Sequence, residues 1–293
     1  MGRLRPLHRS RARVPRNRPP APVEEGPDEP PGRSVRITRV WVVRHEDWRA
    51  RRANSFGAAA PAYAEHRPDY PAAAVRWALE PLGEGPHRVL DLAAGTGKLT
   101  GVVLAEGHQV TAVEPDEEML TELVRRHRNV RALPGSAERV PLPDDTVDAV
   151  LVGQAFHWFD AARALPEIAR VLRPGGVLAA LWNGDDDSVP WVAEFHRVGR
   201  SDADDRNSYG DWMPAHELFG ETAERVFAHS QRRTAESLVA TVNTHSHMLV
   251  VDAAERARLD ARMLDFLKKT PETAEGEFDL PLRTYVLRRC ATR

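Results

Sequence analysis

Val89-Leu90-Asp91-Leu92-Ala93-Ala94-Gly95-Thr96-Gly97-Lys98-Leu99-Thr100 joins a short apolar run to a Gly-x-Gly turn and then to a helical pattern. The run predicts a strand. Leu99, Val102 and Val103 then share one face of a helix that Gly107 stops. The alternation continues downstream. Residues 110–114 predict a second strand, and Asp116 is placed to cap a helix with Met119, Leu120, Leu123 and Val124 inward. Arg125, Arg126, His127 and Arg128 suit the negative end of that helix dipole. Residues 130–133 and 147–152 predict a third and a fourth strand, the latter almost continuously apolar, as a strand covered on both faces should be. Asp160 opens a helix through Leu165, Ile168 and Leu172. Arg173-Pro174-Gly175-Gly176 is a turn, and residues 177–182 predict a fifth strand. Strands and helices alternating at this spacing imply βαβ units in a mostly parallel, doubly wound α/β sheet of Rossmann-like type. Such sheets bind ligands at the carboxyl ends of their strands, where the strand order switches.

The ligand is narrowed by what the turn lacks. Leu92 stands five residues before Gly97 where a P-loop has glycine, and Leu99 follows Lys98 where it has Ser or Thr. The dinucleotide fingerprint fits at Gly95 and Gly97 but meets Thr100 at its third glycine. Glu114, 17 residues after Gly97 at the end of the second predicted strand, can accept hydrogen bonds from both hydroxyls of a ribose. Together these residues point to an adenosine-bearing ligand and leave the rest of it open.

With three later segments, the quoted stretch resembles the first motif of the class I S-adenosylmethionine-dependent methyltransferases. Glu114-Pro115 matches the second motif. Gly135-Ser136-Ala137-Glu138-Arg139-Val140-Pro141-Leu142-Pro143, followed by Val147-Asp148, resembles the third. Leu172-Arg173-Pro174-Gly175-Gly176 resembles the turn before the fifth strand, and the resemblance spans about residues 54–183. Much of the first motif is shared with ubiquinone/menaquinone C-methyltransferases. Gln154-Ala155-Phe156-His157-Trp158-Phe159 is more similar to the trans-aconitate methyltransferase type, which acts on small acids.

The resemblance implies S-adenosyl-L-methionine as cofactor. Gly95, Thr96 and Gly97 would bring the backbone close to its methionine part, with the following helix N-terminus favouring its carboxylate. Asp91 would brace that loop or meet the amino group, and Thr100 would also belong to the cofactor-binding set. Glu114 would take the ribose, Ser136 and Ala137 the adenine edge, and Gln154 the cofactor or substrate. An Asp is usual at Ser136; a hydroxyl pairs with the adenine amino group more weakly than a carboxylate does. In-line methyl transfer asks for positioning and exclusion of water more than for side-chain chemistry. Where the acceptor must lose a proton, His157 is the candidate base and Trp158 the pocket wall; the alternative is that both only pack the following helix. Tyr63, Arg67 and Tyr70 lie in a stretch the family often uses as a lid, where an arginine could pair with a carboxylate or simply face solvent.

Helices are predicted over residues 191–198, 238–242 and 253–267, the last with Leu259, Met263, Leu264 and Leu267 on one side. A sixth strand over 225–228 and a closing strand over 284–287, which the family runs antiparallel at the sheet's edge, complete a seven-stranded sheet. Segments 185–225 and 231–280 are expected to be substrate-lid insertions. The acids Asp185, Asp186, Asp187, Asp202, Asp204 and Asp205 invite a metal. However, Gln154 stands where catechol-type methyltransferases place their first Asp ligand, and His245 and His247 lack a third partner, so no metal is expected.

At 293 residues with 42% hydrophobic content, the chain has enough material for a sizeable core. The single Cys290 excludes an intrachain disulfide framework, and no stretch approaches eighteen consecutive apolar residues. The net charge of −2 is a cancellation: residues 1–53 hold 14 arginines and 6 acids, and the remaining 240 hold 27 basic and 37 acidic side chains. Eight prolines in the first 34 positions oppose helix and sheet alike, so residues 1–53 read as a disordered tail ahead of a domain over 54–293. The tail could bind nucleic acid or an anionic membrane, serve as a transit peptide, or be an extension from an upstream start in a GC-rich genome. No apolar h-region follows it, so it is not a secretory signal. The domain's negative charge and its lack of an Asn/Asp-Pro-Pro-Tyr type motif argue against nucleic acid. The expectation is a cytoplasmic enzyme, monomeric or homodimeric, that methylates a small-molecule acceptor. A catalytically silent cofactor-binding scaffold and a nucleic-acid methyltransferase guided by the tail are the alternatives.

Overall fold

The computed structural model describes residues 67–199, 213–244, 248 and 251–293. The expected tail lies outside them, as do Tyr63, Asp202, Asp204, Asp205, His245 and His247. In chain order the elements are α1 (Ala72–Leu79), a 3-10 turn (Glu80–Leu82), β1 (Arg88–Leu92), α2 (Lys98–Ala105), β2 (Gln109–Glu114), α3 (Glu117–Arg126) and β3 (Arg131–Pro134). Then come β4 (Val147–Gly153), a 3-10 turn (Phe156–Trp158), α4 (Ala161–Val171), β5 (Leu172–Asp185), α5 (Pro190–Val198), β6 (Ala223–Arg233), α6 (Ala235–Asn243), α7 (Ala253–Lys269) and β7 (Phe278–Cys290).

The seven strands lie in the order β3-β2-β1-β4-β5-β7-β6. The first five run parallel, and β7 pairs antiparallel with both β5 and the outermost β6. Because side chains alternate along a strand, the sheet has two buried faces. Leu90, Leu92, Val150, Val152, Leu178 and Ala180 pack with α4 residues on one face. Val89, Ala149, Leu151, Ala179 and Leu181 pack with α1 and α2 residues on the other. The order reverses between β1 and β4, so the crevice predicted for ligands opens at their carboxyl ends.

Local signals set most boundaries. The Asp116 carboxylate accepts the amides of Glu118 and Met119, both at 2.9 Å, and so starts α3. The amphipathic stripe of α3 is narrower than the sequence reading. Met119 and Leu123 are buried, whereas Val124 is 43% exposed, because five residues from Met119 is well off the inward face. Leu172 does not end α4; it is the first residue of β5. The turn at 173–176 sits within a register shift against β4, with Gly175 at a φ of +73°.

A third apolar cluster forms around the start of β7, separate from the two above. Val192 and Phe195 of α5, Leu238 and Val239 of α6, Leu259, Met263 and Leu267 of α7, and Phe278, Leu280 and Leu282 of β7 form it together. The first expected insertion, through α5, and the second, through α6 and α7, thus share one core with the start of β7, whereas Met213 and Phe219 of the first pack with the sheet face under α4.

Candidate functional site

The strands deliver their functional groups to one edge. Asp91 falls on the face covered by α2, fully buried, and its Oδ2 accepts the Thr100 hydroxyl at 2.5 Å. Its other oxygen, Oδ1, is buried with no hydrogen-bond partner, and so is the Thr96 hydroxyl on the turn above it. Burial pushes the Asp91 carboxyl up to about 7, against the opposing hydrogen bond from Thr100. A buried carboxylate oxygen with nothing to accept is a costly arrangement unless a ligand supplies the donor.

The loop above Asp91 is held in unusual backbone conformations. Ala93 has φ +57°, Gly95 +55° and Gly97 +84°. A left-handed alanine is strained, and such strain gathers at ligand sites. Space around Gly95 is open. A Cβ on Gly97 would stand 2.7 Å from the His127 ring, which lies against the Gly97 carbonyl at 3.0 Å. Gly97 therefore serves its own left-handed φ and a close approach of α3. The α2 N-terminus that follows has no side-chain cap, so its first amides remain for an anion.

Glu114 ends β2 and ties this loop to the next. Its Oε2 accepts the Gly95 amide at 2.8 Å and its Oε1 accepts the Asp116 amide at 3.0 Å. Burial raises its pKa more than the two backbone hydrogen bonds lower it. Each oxygen keeps a lone pair for a further donor. Beyond β3, the Gly135 amide donates to the Glu114 carbonyl at 3.3 Å, which sets the 135–137 turn beside Glu114. There Ser136 is half-buried, and Ala137 is buried within the apolar cluster under α4.

From the other side of the switch point come Gly153 and Gln154. Gln154 adopts φ +56°, and its Nε2 donates to the Asn183 carbonyl of β5 at 2.9 Å. A cleft between these strands is lined by Asp91, the 93–96 turn, Lys98, Gln154 and Asn183, with Arg67, Pro68 and Tyr70 along its rim. Tyr70 approaches so closely that a Cβ on Gly153 would meet its hydroxyl at 2.6 Å. Lys98 is ion-paired with Asp69 at 2.9 Å.

Of the residues singled out from sequence, Asp91, Gly95, Thr96 and Gln154 line the cleft, as do Arg67 and Tyr70. Thr100 lies beneath it and acts on Asp91. Glu114, Ser136 and Ala137 stand along the adjoining strand ends. His157 sits on the Phe156–Trp158 turn with its ring against Trp158, centroids 4.7 Å apart, outside the residues that line the cleft. Lys98, Gly153 and Asn183 also line the cleft and have no cofactor role in the sequence reading, where Asn183 figures only beside Asp185 in the incomplete metal pattern. The signal that could have found Asn183 is its place just after the apolar run of β5. Asp185 bonds His196 at 2.8 Å and Asp186 pairs with Arg283 at 3.0 Å, so both acids have protein partners.

A methyltransferase-domain family profile matches residues 90–180, which holds β1 through the middle of β5. An uncharacterized methyltransferase of Mycobacterium bovis is 39% identical over 235 residues, 80% of this chain and 94% of that protein. The chain belongs to the class I S-adenosylmethionine-dependent methyltransferases. An uncharacterized methyltransferase-like protein of Schizosaccharomyces pombe is 34% identical over 71% of this chain and 84% of its own length. A solved structure from Anaeromyxobacter dehalogenans, described as a type II methyltransferase, superposes with a TM-score of 0.57 at 26% identity, covering 77% of this chain and 97% of that one. For a methyltransferase, the unsatisfied Asp91 and Thr96 oxygens, the open Gly95, the uncapped α2 and the spare Glu114 lone pairs are donors and acceptors of the kinds the cofactor needs.

Proposed function

We propose that this methyltransferase binds S-adenosyl-L-methionine in the cleft between β1 and β4 and transfers its methyl group, by in-line displacement, to a small-molecule acceptor. The observation that carries the reading is the buried Asp91 Oδ1, an acceptor without a donor at the switch point of the sheet. Asp91 and Thr96 then hold the amino end, the α2 N-terminus the carboxylate, and Glu114 the ribose. Ser136 and Ala137 border the adenine, and Gln154 faces both ligands. When bound, the cofactor supplies a methyl group on a positive sulfonium, already activated for displacement. The chain contributes orientation and a dry site: Tyr70 and the 67–70 segment close the cleft on one side, and Asn183 and Gln154 bound it on another. His157, just past the end of β4, takes the acceptor's proton where the acceptor must lose one. The domain's acidic balance favours a small acceptor over a nucleic acid.

Calorimetric titration with S-adenosylmethionine tests the cofactor. Glu114→Ala removes acceptors for both ribose hydroxyls and orphans the Gly95 amide, so affinity is expected to fall at least about tenfold. Wild-type affinity in that variant would refute the placement. Transfer of label from methyl-labelled cofactor into a metabolite extract then identifies the acceptor.

A further inference from the structure

Behind the cleft, one buried hydroxyl organises several groups that the sequence keeps far apart. Thr284, fully buried in β7, donates to Asn183 Oδ1 at 2.5 Å. Since that hydroxyl proton is committed to Asn183, the Thr284 oxygen is left to accept from His229 Nε2, 3.0 Å away on β6. This chain of bonds fixes the Asn183 carboxamide with its oxygen toward β7 and its nitrogen toward the cleft rim. The nitrogen donates to the Asp69 carbonyl at 3.1 Å and the Pro68 carbonyl at 3.4 Å, while the Asn183 backbone carbonyl accepts Gln154 Nε2. Both Pro68 and Gln154 line the cleft. With its Nε2 held, Gln154 has its amide oxygen left as the atom to offer a ligand N–H or O–H.

We propose that Thr284 and Asn183 are positioning residues of the methyl-transfer cleft: Thr284 orients Asn183, and Asn183 anchors both Gln154 and the Pro68–Asp69 backbone at the cofactor's edge. The proposal rests on the cofactor reading above. A flipped or released Asn183 carboxamide would lose its bonds to the Pro68 and Asp69 carbonyls, while Gln154, at φ +56°, keeps its bond to the Asn183 backbone carbonyl. That loosens the backbone at 68–69, which is then held by the Lys98–Asp69 ion pair and the packing of Tyr70. His229 stabilises the arrangement as a neutral donor, and burial keeps its pKa below the usual histidine range.

The test compares wild type with Thr284→Val, which keeps shape and loses the hydroxyl, and Thr284→Ser, which restores it. S-adenosylmethionine affinity is read by calorimetry, and exchange of the Asp69 and Tyr70 amides by hydrogen–deuterium mass spectrometry without cofactor. The valine variant is expected to bind about tenfold more weakly and to exchange faster at those two amides, with the serine variant close to wild type. Thr284→Ala reads the same loss where valine does not fold. Unchanged affinity and exchange in the valine or alanine variant would overturn the proposal, and so would a serine variant as impaired as valine. A wild-type protein that does not bind the cofactor would sink the cofactor reading, and the exchange measurement would still judge the tie between Thr284 and the 67–70 segment.

Discussion

Asp91 shows how one side chain trades stability for binding. Its folded pKa, near 7, lies above the ordinary aspartate value of about 4, so the folded chain prefers the protonated form. The stability this group supports is therefore present at acid pH and is lost as pH rises from about 4 through about 7. Asp91→Asn does not ionise. Without cofactor the variant is expected to melt above wild type at pH 8, by an amount on the order of 1–4 kcal/mol, with the gap closing toward pH 4. It should also lose most cofactor affinity, because a neutral amide does not balance an ammonium. Thermal melts across pH check the first claim, and parallel pH profiles for the two proteins would contradict it. His157 is the complementary case, a residue expected to act on the acceptor. His157→Ala should lower turnover with cofactor affinity unchanged; full activity would remove it from the mechanism.

At the scale of elements, the turn between β1 and α2 is tuned by its neighbour. Gly97 combines a φ of +84° with the His127 ring and Leu123 Cγ at 2.7 and 3.0 Å from where a Cβ would sit. Gly97→Ala is expected to destabilise by about 1–3 kcal/mol and to weaken cofactor binding, since the displaced turn carries Thr96 and the first amides of α2. Adding His127→Ala should recover only part of the loss, because the ring contact disappears while the backbone strain and Leu123 stay; denaturant unfolding of the three variants checks this. That Gly-x-Gly was legible in the sequence because it follows a strand and opens a helix. Its packing reason was not legible, because His127 belongs to the end of another helix, 30 residues on.

For the molecule as a whole, the Mycobacterium bovis relative aligns with 235 of the 293 residues, and the sequence reading expects the domain to begin at residue 54. A chain starting at Asn54 is expected to fold and to bind S-adenosylmethionine like the full-length protein; loss of either would make residues 1–53 part of the working enzyme. Within the domain, α5, α6 and α7 close one apolar core around the start of β7. The amino-acid sequence by itself determined the βαβ order and the residues at the strand ends. Asp91, Glu114 and Gln154 were visible because each lies at or just past the end of an apolar strand, and a parallel sheet carries such residues to one edge. It also determined the α3 cap at Asp116, since capping is local. Only tertiary structure decided that Val124 faces solvent, that α5, α6 and α7 share a core, and that Asn183 bonds both Gln154 and the 68–69 backbone at the cleft. The Thr284–Asn183 bond joins residues 101 positions apart through an antiparallel pairing of β5 with β7. Hydrophobic periodicity announces strands and helices, but it carries no record of which distant polar atoms their packing will bring within hydrogen-bonding reach.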